Sequence, residues 1–389
     1  MSVQSPRASR ARYVMIGGFL GAGKSTAVGR LARHLTDSGL RVGLITNDQG
    51  SGLVDTRNLR HQGFPVEEIA GGCFCCRFDA LETAARSLAE DERPDVFVAE
   101  PVGSCTDLVA TVSYPLRRLY GERFEIAPLS VMVDPLRAAR VLGLEGGRRF
   151  SSKVTYVYEK QLEEAHALVI NKTDLLDELR LRALRRELER RYPGRPVFEV
   201  SAREQKGLDA WFDHLETAAL PTGPAMEIDY ELYGEGEALL GWLNATLRFD
   251  VSGLDVPAPD ASGLGATELD GNEWTENLAR ELQAELAGDD VEVAHLKMTL
   301  SPAGEGALSG DLALVSLVSQ EVVPELSERL SAPVGAGQLV VNLRAEAPPS
   351  TLRRAFDALV SRRGEIAVEH VECFEPGQPR PTHRMLGGS

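Results

Sequence analysis

The stretch Gly18-Phe19-Leu20-Gly21-Ala22-Gly23-Lys24-Ser25-Thr26 constrains the fold more than any other part of the chain. It fits G-x-x-x-x-G-K-[ST]. It lies between an apolar run at 13–17 and a segment at 25–38 whose Val28, Leu31, Ala32 and Leu35 share one helical face. Strand, glycine turn and helix in that order make a phosphate cradle. The glycines let backbone N–H groups turn inward, Lys24 reaches the β- and γ-phosphates, and Ser25 ligates Mg²⁺. The plain alternative is a glycine-rich turn before a helix, but the flanking strand and helix are the context the cradle requires.

Further strands are predicted at 41–47, 95–100, 127–134, 167–171 and 196–200, with helical segments between them, including 78–89. Alternation of this kind predicts an α/β fold, a doubly wound, mostly parallel sheet covered on both faces. Residues 220–224, with Pro221, Gly223 and Pro224, read as a linker. Beyond it, strands at 239–249, 291–300, 312–318, 338–343 and 366–374 mix with helices at 276–287, 321–330 and 350–362. This predicts a smaller α+β domain, ferredoxin-like with an inserted strand and helix. The division is a flexible N-terminus at 1–11, a nucleotide domain at 12–220, an α+β domain at 225–375 and a disordered tail at 376–389. Residues 253–271 read as a mobile loop, and Trp242 and Trp274 as core or rim.

Charge supports two domains. Residues 1–224 carry 31 basic and 30 acidic side chains; the remainder of the 389-residue chain carries 11 and 28. The acidic half repels phosphate backbones, so no nucleic-acid partner is expected. Its acidity serves solubility or a docking surface for a basic client. No run approaches the ~20 apolar residues of a membrane helix, and no signal-peptide core is evident, so a cytoplasmic protein without a membrane partner is expected.

Asn171-Lys172-Thr173-Asp174 follows the apolar run 167–170, and strand ends are where open α/β sheets bind ligands. A carboxylate such as Asp174 can accept two hydrogen bonds from the guanine N1–H and N2–H₂ edge, which adenine lacks. Val200-Ser201-Ala202 fits a further base-binding segment, so GTP is favoured over ATP. Asp174 can also cap a helix at 175–191.

Gly71-Gly72-Cys73-Phe74-Cys75-Cys76 holds three of the five cysteines. Thiolates suit Zn²⁺, Cu⁺ and Co²⁺. A regular strand would point Cys76 away from Cys73 and Cys75, so one metal takes all three only from an irregular loop, which the glycines permit. A redox pair and three buried small apolar residues are the other readings.

GGFLGAGKST, GGCxCC, Glu100-Pro101-Val102-Gly103 after a strand, and NKTD, in that order, resemble the CobW-type metallochaperone GTPases. These are P-loop relatives of chaperones serving hydrogenase, urease and methylmalonyl-CoA mutase. The resemblance covers about residues 12–220. It implies GTP and GDP at Gly18, Gly21, Ala22, Gly23, Lys24, Ser25 and Thr26 for phosphate, and at Asn171, Lys172, Asp174 and Ser201 for the base. It implies Mg²⁺ at Ser25 and Glu100, and Zn²⁺ or Co²⁺ at Cys73, Cys75 and Cys76. Lys24, Asp48 and Glu100 take the catalytic positions, with Asn47-Asp48-Gln49-Gly50 matching the first switch. In the family, GTP hydrolysis drives metal transfer through these switches. The implied partners are GTP, a transition-metal ion, a client metalloprotein or cofactor-assembly enzyme, and a second copy of the chain.

The sequence also departs from the family. SGLVDT after Gly50 lacks the usual glutamates, leaving Asp55 as a substitute ligand. Cys105 is either a fourth thiol or a buried structural one. No His-rich tract is present, which argues against bulk zinc scavenging. Two other readings stay open: a corrinoid-type activator of one client with a structural metal, and a P-loop small-molecule kinase. NKTD and the want of an Arg-rich lid weaken the second.

Overall fold

The computed structural model describes residues 10–48, 59, 63–91, 94–251, 268–303 and 311–387. The N-terminal half is built on eight parallel strands: β1 (Ala11–Gly18), β2 (Val42–Asp48), β3 (Val66–Ala70), β4 (Val96–Glu100), β5 (Phe124–Ile126), β6 (Ser130–Val133), β7 (Ala167–Ile170) and β8 (Val197–Glu199). Their order is β3-β2-β4-β1-β6-β7-β8, and β5 pairs with β1. β1 shows why the sheet is covered twice. Tyr13 and Met15 pack with the helices Phe78–Asp91 and Ser152–Glu164. Val14 and Ile16 pack with Lys24–Asp37 and Leu208–Thr217 on the other face. An apolar strand with no polar alternation can bury both faces only in such a sandwich. The doubly wound α/β expectation therefore holds.

The C-terminal half is a six-stranded antiparallel sheet. Its strands are β9 (Leu240–Asp250), β10 (Glu292–Pro302), β11 (Ala313–Leu317), β12 (Glu325–Glu328), β13 (Ala336–Glu346) and β14 (Ile366–Phe374), in the order β12-β11-β10-β13-β9-β14. Helices Gly271–Gly288 and Pro349–Val360 cover one face through Leu278, Leu282, Leu352 and Phe356. Without β11 and β12 this is a β-α-β-β-α-β ferredoxin-like unit. The insertion is two strands, not a strand and a helix. The helix expected at 321–330 is replaced by β12, because Pro324 removes an N–H that a helix interior needs.

Trp242 and Trp274 are both buried. The sheet's other face carries Asn244, His295, Lys297, Asn342 and Arg344 and turns toward the nucleotide domain. Arg137 joins the two halves: its guanidinium donates to Leu20 O (3.2 Å), to Ala294 O (3.2 Å) and to Val318 O.

The tail expected to be disordered is laid down as an ordered strap. Thr382 N donates to Cys75 O (2.8 Å) and Met385 N to Ala110 O (2.9 Å), while Ala225 N donates to Leu386 O (2.8 Å). Arg384 pairs with the buried Asp107 at 2.7 Å. Backbone pairing and one half-buried ion pair hold a segment that composition alone marks as loose. Residues 1–9, most of the 253–271 segment, Gln49, Gly50 and Asp55 lie outside the described residues.

Candidate nucleotide and metal site

Gly23 precedes helix Lys24–Asp37 with φ +90°, in the left-handed region. A Cβ there would sit 2.4 Å from Asn171 Nδ2. Glycine is thus required both by the turn and by the close approach of the Asn171 side chain. The buried Lys24 ammonium donates to Gly18 O (2.9 Å) and Phe19 O (3.4 Å). Ser25 Oγ donates to Glu100 Oε1 at 3.0 Å, so the hydroxyl opening the helix meets the acid ending β4. Paired oxygen donors of this kind suit Mg²⁺.

The NKTD segment is fastened to the phosphate loop. Asn171 Nδ2 donates to Ala22 O (2.9 Å), and Asn171 Oδ1 accepts from Ala202 N (3.0 Å). Lys172 Nζ donates to Gly21 O (2.7 Å) and pairs with Asp134 Oδ2 (2.8 Å). Asp174 is not the cap of the following helix. Asp177 caps Glu178–Arg191 by accepting from Arg180 N (2.9 Å), and Asp174 Oδ1 accepts from Ser201 Oγ (2.6 Å). The two base-binding segments expected from sequence are therefore hydrogen-bonded to each other.

These groups line one cavity of about 1170 Å³, whose walls include Lys24, Ser25, Thr26, Asn47, Glu100, Asn171, Lys172 and Asp174. Its opposite wall was not foreseen. His295, Lys297, Asn342 and Arg344 of the C-terminal sheet face the same space. Burial, then the charges of Lys297, Arg344, Lys24 and Lys172, push the His295 imidazole well below its usual range, so this histidine is neutral. The signal lay in the strand pattern. His295 and Lys297 alternate with the core residues Leu296 and Met298, so both point away from the helices. An acidic domain thus turns a cationic stripe toward the phosphate loop. Asp48 ends β2 and its side chain is outside the described residues.

The thiols gather as expected. Cys73 and Cys75 Sγ lie 2.7 Å apart, Cys73 and Cys76 3.2 Å, and Cys75 and Cys76 3.8 Å. The loop after Gly71 and Gly72 is irregular, which brings all three to one point. Hydrogen bonding with Cys105, then with Cys75 and Cys76, holds Cys73 well below the ordinary thiol range. Hydrogen bonding with Cys105, then with Cys73, pushes the Cys75 thiol up, and hydrogen bonding with Cys73 first, with burial further down, lifts Cys76 to about 11. Asn47 connects this cluster to the cavity. Its Nδ2 donates to Ile69 O (2.9 Å) and Gly72 O (2.6 Å), and its Oδ1 accepts from Phe74 N (2.9 Å). The strap crosses the outside, where Arg380 N donates to Cys76 Sγ at 3.1 Å.

Residues 12–199 match the CobW/HypB/UreG nucleotide-binding domain. The zinc chaperone CobW of a Sinorhizobium species is 30% identical over 205 residues, 47% of this chain and 56% of that protein. The zinc chaperone YeiR of Escherichia coli is 32% identical over 93 residues, 24% of this chain and 28% of that protein. The chain thus spans about half the length or less of these curated relatives. The crystal structure of Helicobacter pylori HypB in complex with nickel aligns at 19% identity and TM-score 0.40, covering 53% of this chain and 86% of that one. No helix among the described residues is long and apolar enough to cross a membrane. The part of the chain that builds the phosphate cradle, residues 12–199, is thus the part similar to the CobW/HypB/UreG nucleotide-binding domain.

Proposed function

We propose that this protein is a GTP-hydrolysing metallochaperone. It takes a transition-metal ion, Zn²⁺ or Co²⁺, at Cys73, Cys75 and Cys76 and delivers it to a client metalloprotein or cofactor-assembly enzyme. The carrying observation is Asn47. One side chain lines the cavity and clamps the thiol loop on both sides, through Gly72 O and Phe74 N. A change at the γ-phosphate that moves the end of β2 therefore moves the thiols.

In this reading Lys24 binds the β- and γ-phosphates. Ser25 and Glu100 hold Mg²⁺, which neutralises charge on the phosphates when bound. Asn171 and Lys172 fix the loop against the base segment, and Asp174 and Ser201 read guanine. Hydrolysis needs in-line water and donors aimed at the γ-phosphate more than covalent chemistry. In this reading Glu100 orients that water, and Asp48 is assigned the same task from its place in the sequence. The names of the two zinc-chaperone relatives favour zinc among the thiophilic ions.

The test is a Zn²⁺ and Co²⁺ titration with GDP and with a non-hydrolysable GTP analogue. Reciprocal linkage predicts affinities differing by about 5- to 150-fold, a coupling of about 1–3 kcal/mol. Equal affinities in both states reduce the cysteines to a structural site. Asp174→Ala is expected to erase the preference for GTP over ATP, and Lys24→Ala to abolish turnover. Equal wild-type affinity for the two nucleotides would refute the guanine assignment.

A further inference from the structure

We propose that residues 380–387 are a gate on the thiol site, and that the Arg384–Asp107 ion pair is the latch that holds it shut. The inference rests on the metal-binding reading above and adds to it the control of how fast an ion enters and leaves.

The approach to the cluster lies at Cys76. Cys73 and Cys75 are buried, with 5% and 1% of each residue exposed, whereas Cys76 is half-buried. An acceptor must reach the ion to take it, so transfer needs an entry path on the Cys76 side. The strap lies across that side. Arg380 N donates to Cys76 Sγ (3.1 Å), Thr382 N to Cys75 O (2.8 Å) and Thr382 Oγ1 to Cys76 O (3.3 Å). Pro379 and Pro381 carry no N–H, so both backbone donors of residues 379–382 are given to the thiol loop. Beyond them the His383 ring meets Phe78 edge-on, 5.0 Å between centroids.

The strap can lift without disturbing either core. Pro376 and Pro379 are buried, and a Cβ on Gly234 would lie 3.5 Å from Pro379 Cδ, so the chain is anchored on helix Tyr230–Ala238 just before the strap begins. From Arg380 to Gly387 no residue is buried. A segment with few apolar contacts and solvent-exposed hydrogen bonds opens at a lower free energy than the sheets beneath it.

What holds it is the latch. Asp107 is 1% exposed, and its Oδ2 accepts from Arg384 Nε (2.7 Å) and from Tyr230 Oη (2.6 Å). Asp107 also has φ +62°, a left-handed conformation that its partners must maintain. The strap's other ties, such as Met385 N to Ala110 O and Ala225 N to Leu386 O, are neutral backbone bonds. A charge-assisted bond to a buried carboxylate outweighs any one of them.

The experiment measures zinc exchange on the full chain with GDP present. In stopped flow, loaded protein is mixed with excess pyridylazoresorcinol, a chromogenic chelator, and unloaded protein is mixed with Zn²⁺. Arg384→Met and Asp107→Asn should each release and take up zinc roughly 10- to 100-fold faster than the wild type, the worth of one charge-assisted contact. A gate changes both rates, so Zn²⁺ affinity should move far less than either, and GDP affinity should not move. Unchanged rates overturn the proposal and leave the metallochaperone reading intact. Faster release with unchanged uptake also overturns it, since Arg384 is then a prop of the thiol loop. Wild-type protein that takes no zinc overturns both readings. Hydrogen exchange on the wild type keeps the answer independent of how the variants fold. The Thr382 and Met385 amides should exchange at least ~10-fold faster than those of β13. Exchange as slow as β13 means that the strap opens only when the protein unfolds, and overturns the gate.

Discussion

Lys172→Met removes the ammonium that joins Gly21 O to Asp134 and keeps most of the side-chain volume. Asp134 is nearly buried, with 6% of its side chain exposed, against 22% for Lys172. Burial raises the Asp134 carboxyl, but the Lys172 and Arg137 charges and their hydrogen bonds bring it below the usual range. It is therefore ionised at neutral pH and depends on those partners. Breaking a fully buried pair from one side costs about 3–5 kcal/mol. Water reaches Lys172, and Arg137 N still donates to Asp134 Oδ1 at 3.0 Å, so the expected loss is nearer 2–3 kcal/mol.

Adding Asp134→Asn removes the stranded charge and is expected to return about half of that loss, a coupling of roughly 1–1.5 kcal/mol. The assay is denaturant unfolding of the wild type, both single variants and the double variant at pH 7, with fluorescent GDP binding on the same samples. GDP affinity should fall in Lys172→Met and stay low in the double variant, because the Gly21 carbonyl remains unheld. A single-variant loss below about 0.5 kcal/mol, or strictly additive singles, would refute the claim that this pair braces the phosphate loop.

Gly23→Ala should abolish nucleotide binding while costing at least ~1–2 kcal/mol of stability, since it forces a Cβ into the left-handed region and against Asn171; unchanged GDP binding would contradict the loop geometry. Burial, then the Asp107 charge, push Glu164 up to about 8 from 4.5, so the folded state holds an extra proton between those pH values. The stability this gives is complete below about pH 4.5 and falls by ~1.4 kcal/mol per pH unit until about pH 8. Glu164→Gln should flatten that slope in denaturant titrations at pH 5, 6.5 and 8, and an identical slope in both proteins would count against it. Lys297→Met should weaken GTP by about 10- to 100-fold, the worth of one charge-assisted contact, if the C-terminal sheet touches the phosphates; equal GTP affinity in calorimetry would leave the cationic stripe without a nucleotide role.

The legible parts of this molecule are those where local pattern and tertiary need agree. β1, β4 and β7 are short apolar runs, and a parallel sheet has no other use for such runs. β3 escaped because Val66-Glu67-Glu68-Ile69-Ala70 sits at the sheet edge, where half the residues need not be apolar. β5 is three residues long and gives no period to read. For Asp174 a cap is the second reading beside guanine, because Asp before a helical run is the usual cap signal, yet Asp177 three positions later supplies that oxygen. The phosphate loop, NKTD and the cysteines were readable as motifs because their chemistry is local. The cationic stripe was not, since its residues come from β10 and β13 and meet Lys24 only after two domains dock. The strap was invisible for a related reason: a Pro- and Gly-bearing segment looks loose until its partners, Asp107, Ala110 and Cys75, are known.

The strap also sets an order of events during biosynthesis. Arg380 follows its partner Cys76 by 304 positions. At translation speeds of about 5–20 residues per second, roughly 15–60 s pass between synthesis of the thiol loop and synthesis of its cover. Helix Tyr230–Ala238, which brings Tyr233 and Glu237 against Thr106 and Ser104, arrives midway. Until the strap is made, then, the cysteines stand open to any thiophilic ion or oxidant present, and the strap covers them afterwards. If the cluster takes a metal as proposed, first loading and later reloading are different reactions, one onto an uncovered cluster and the other past a closed strap. A metal acquired before the strap is synthesised would be trapped when the strap closes.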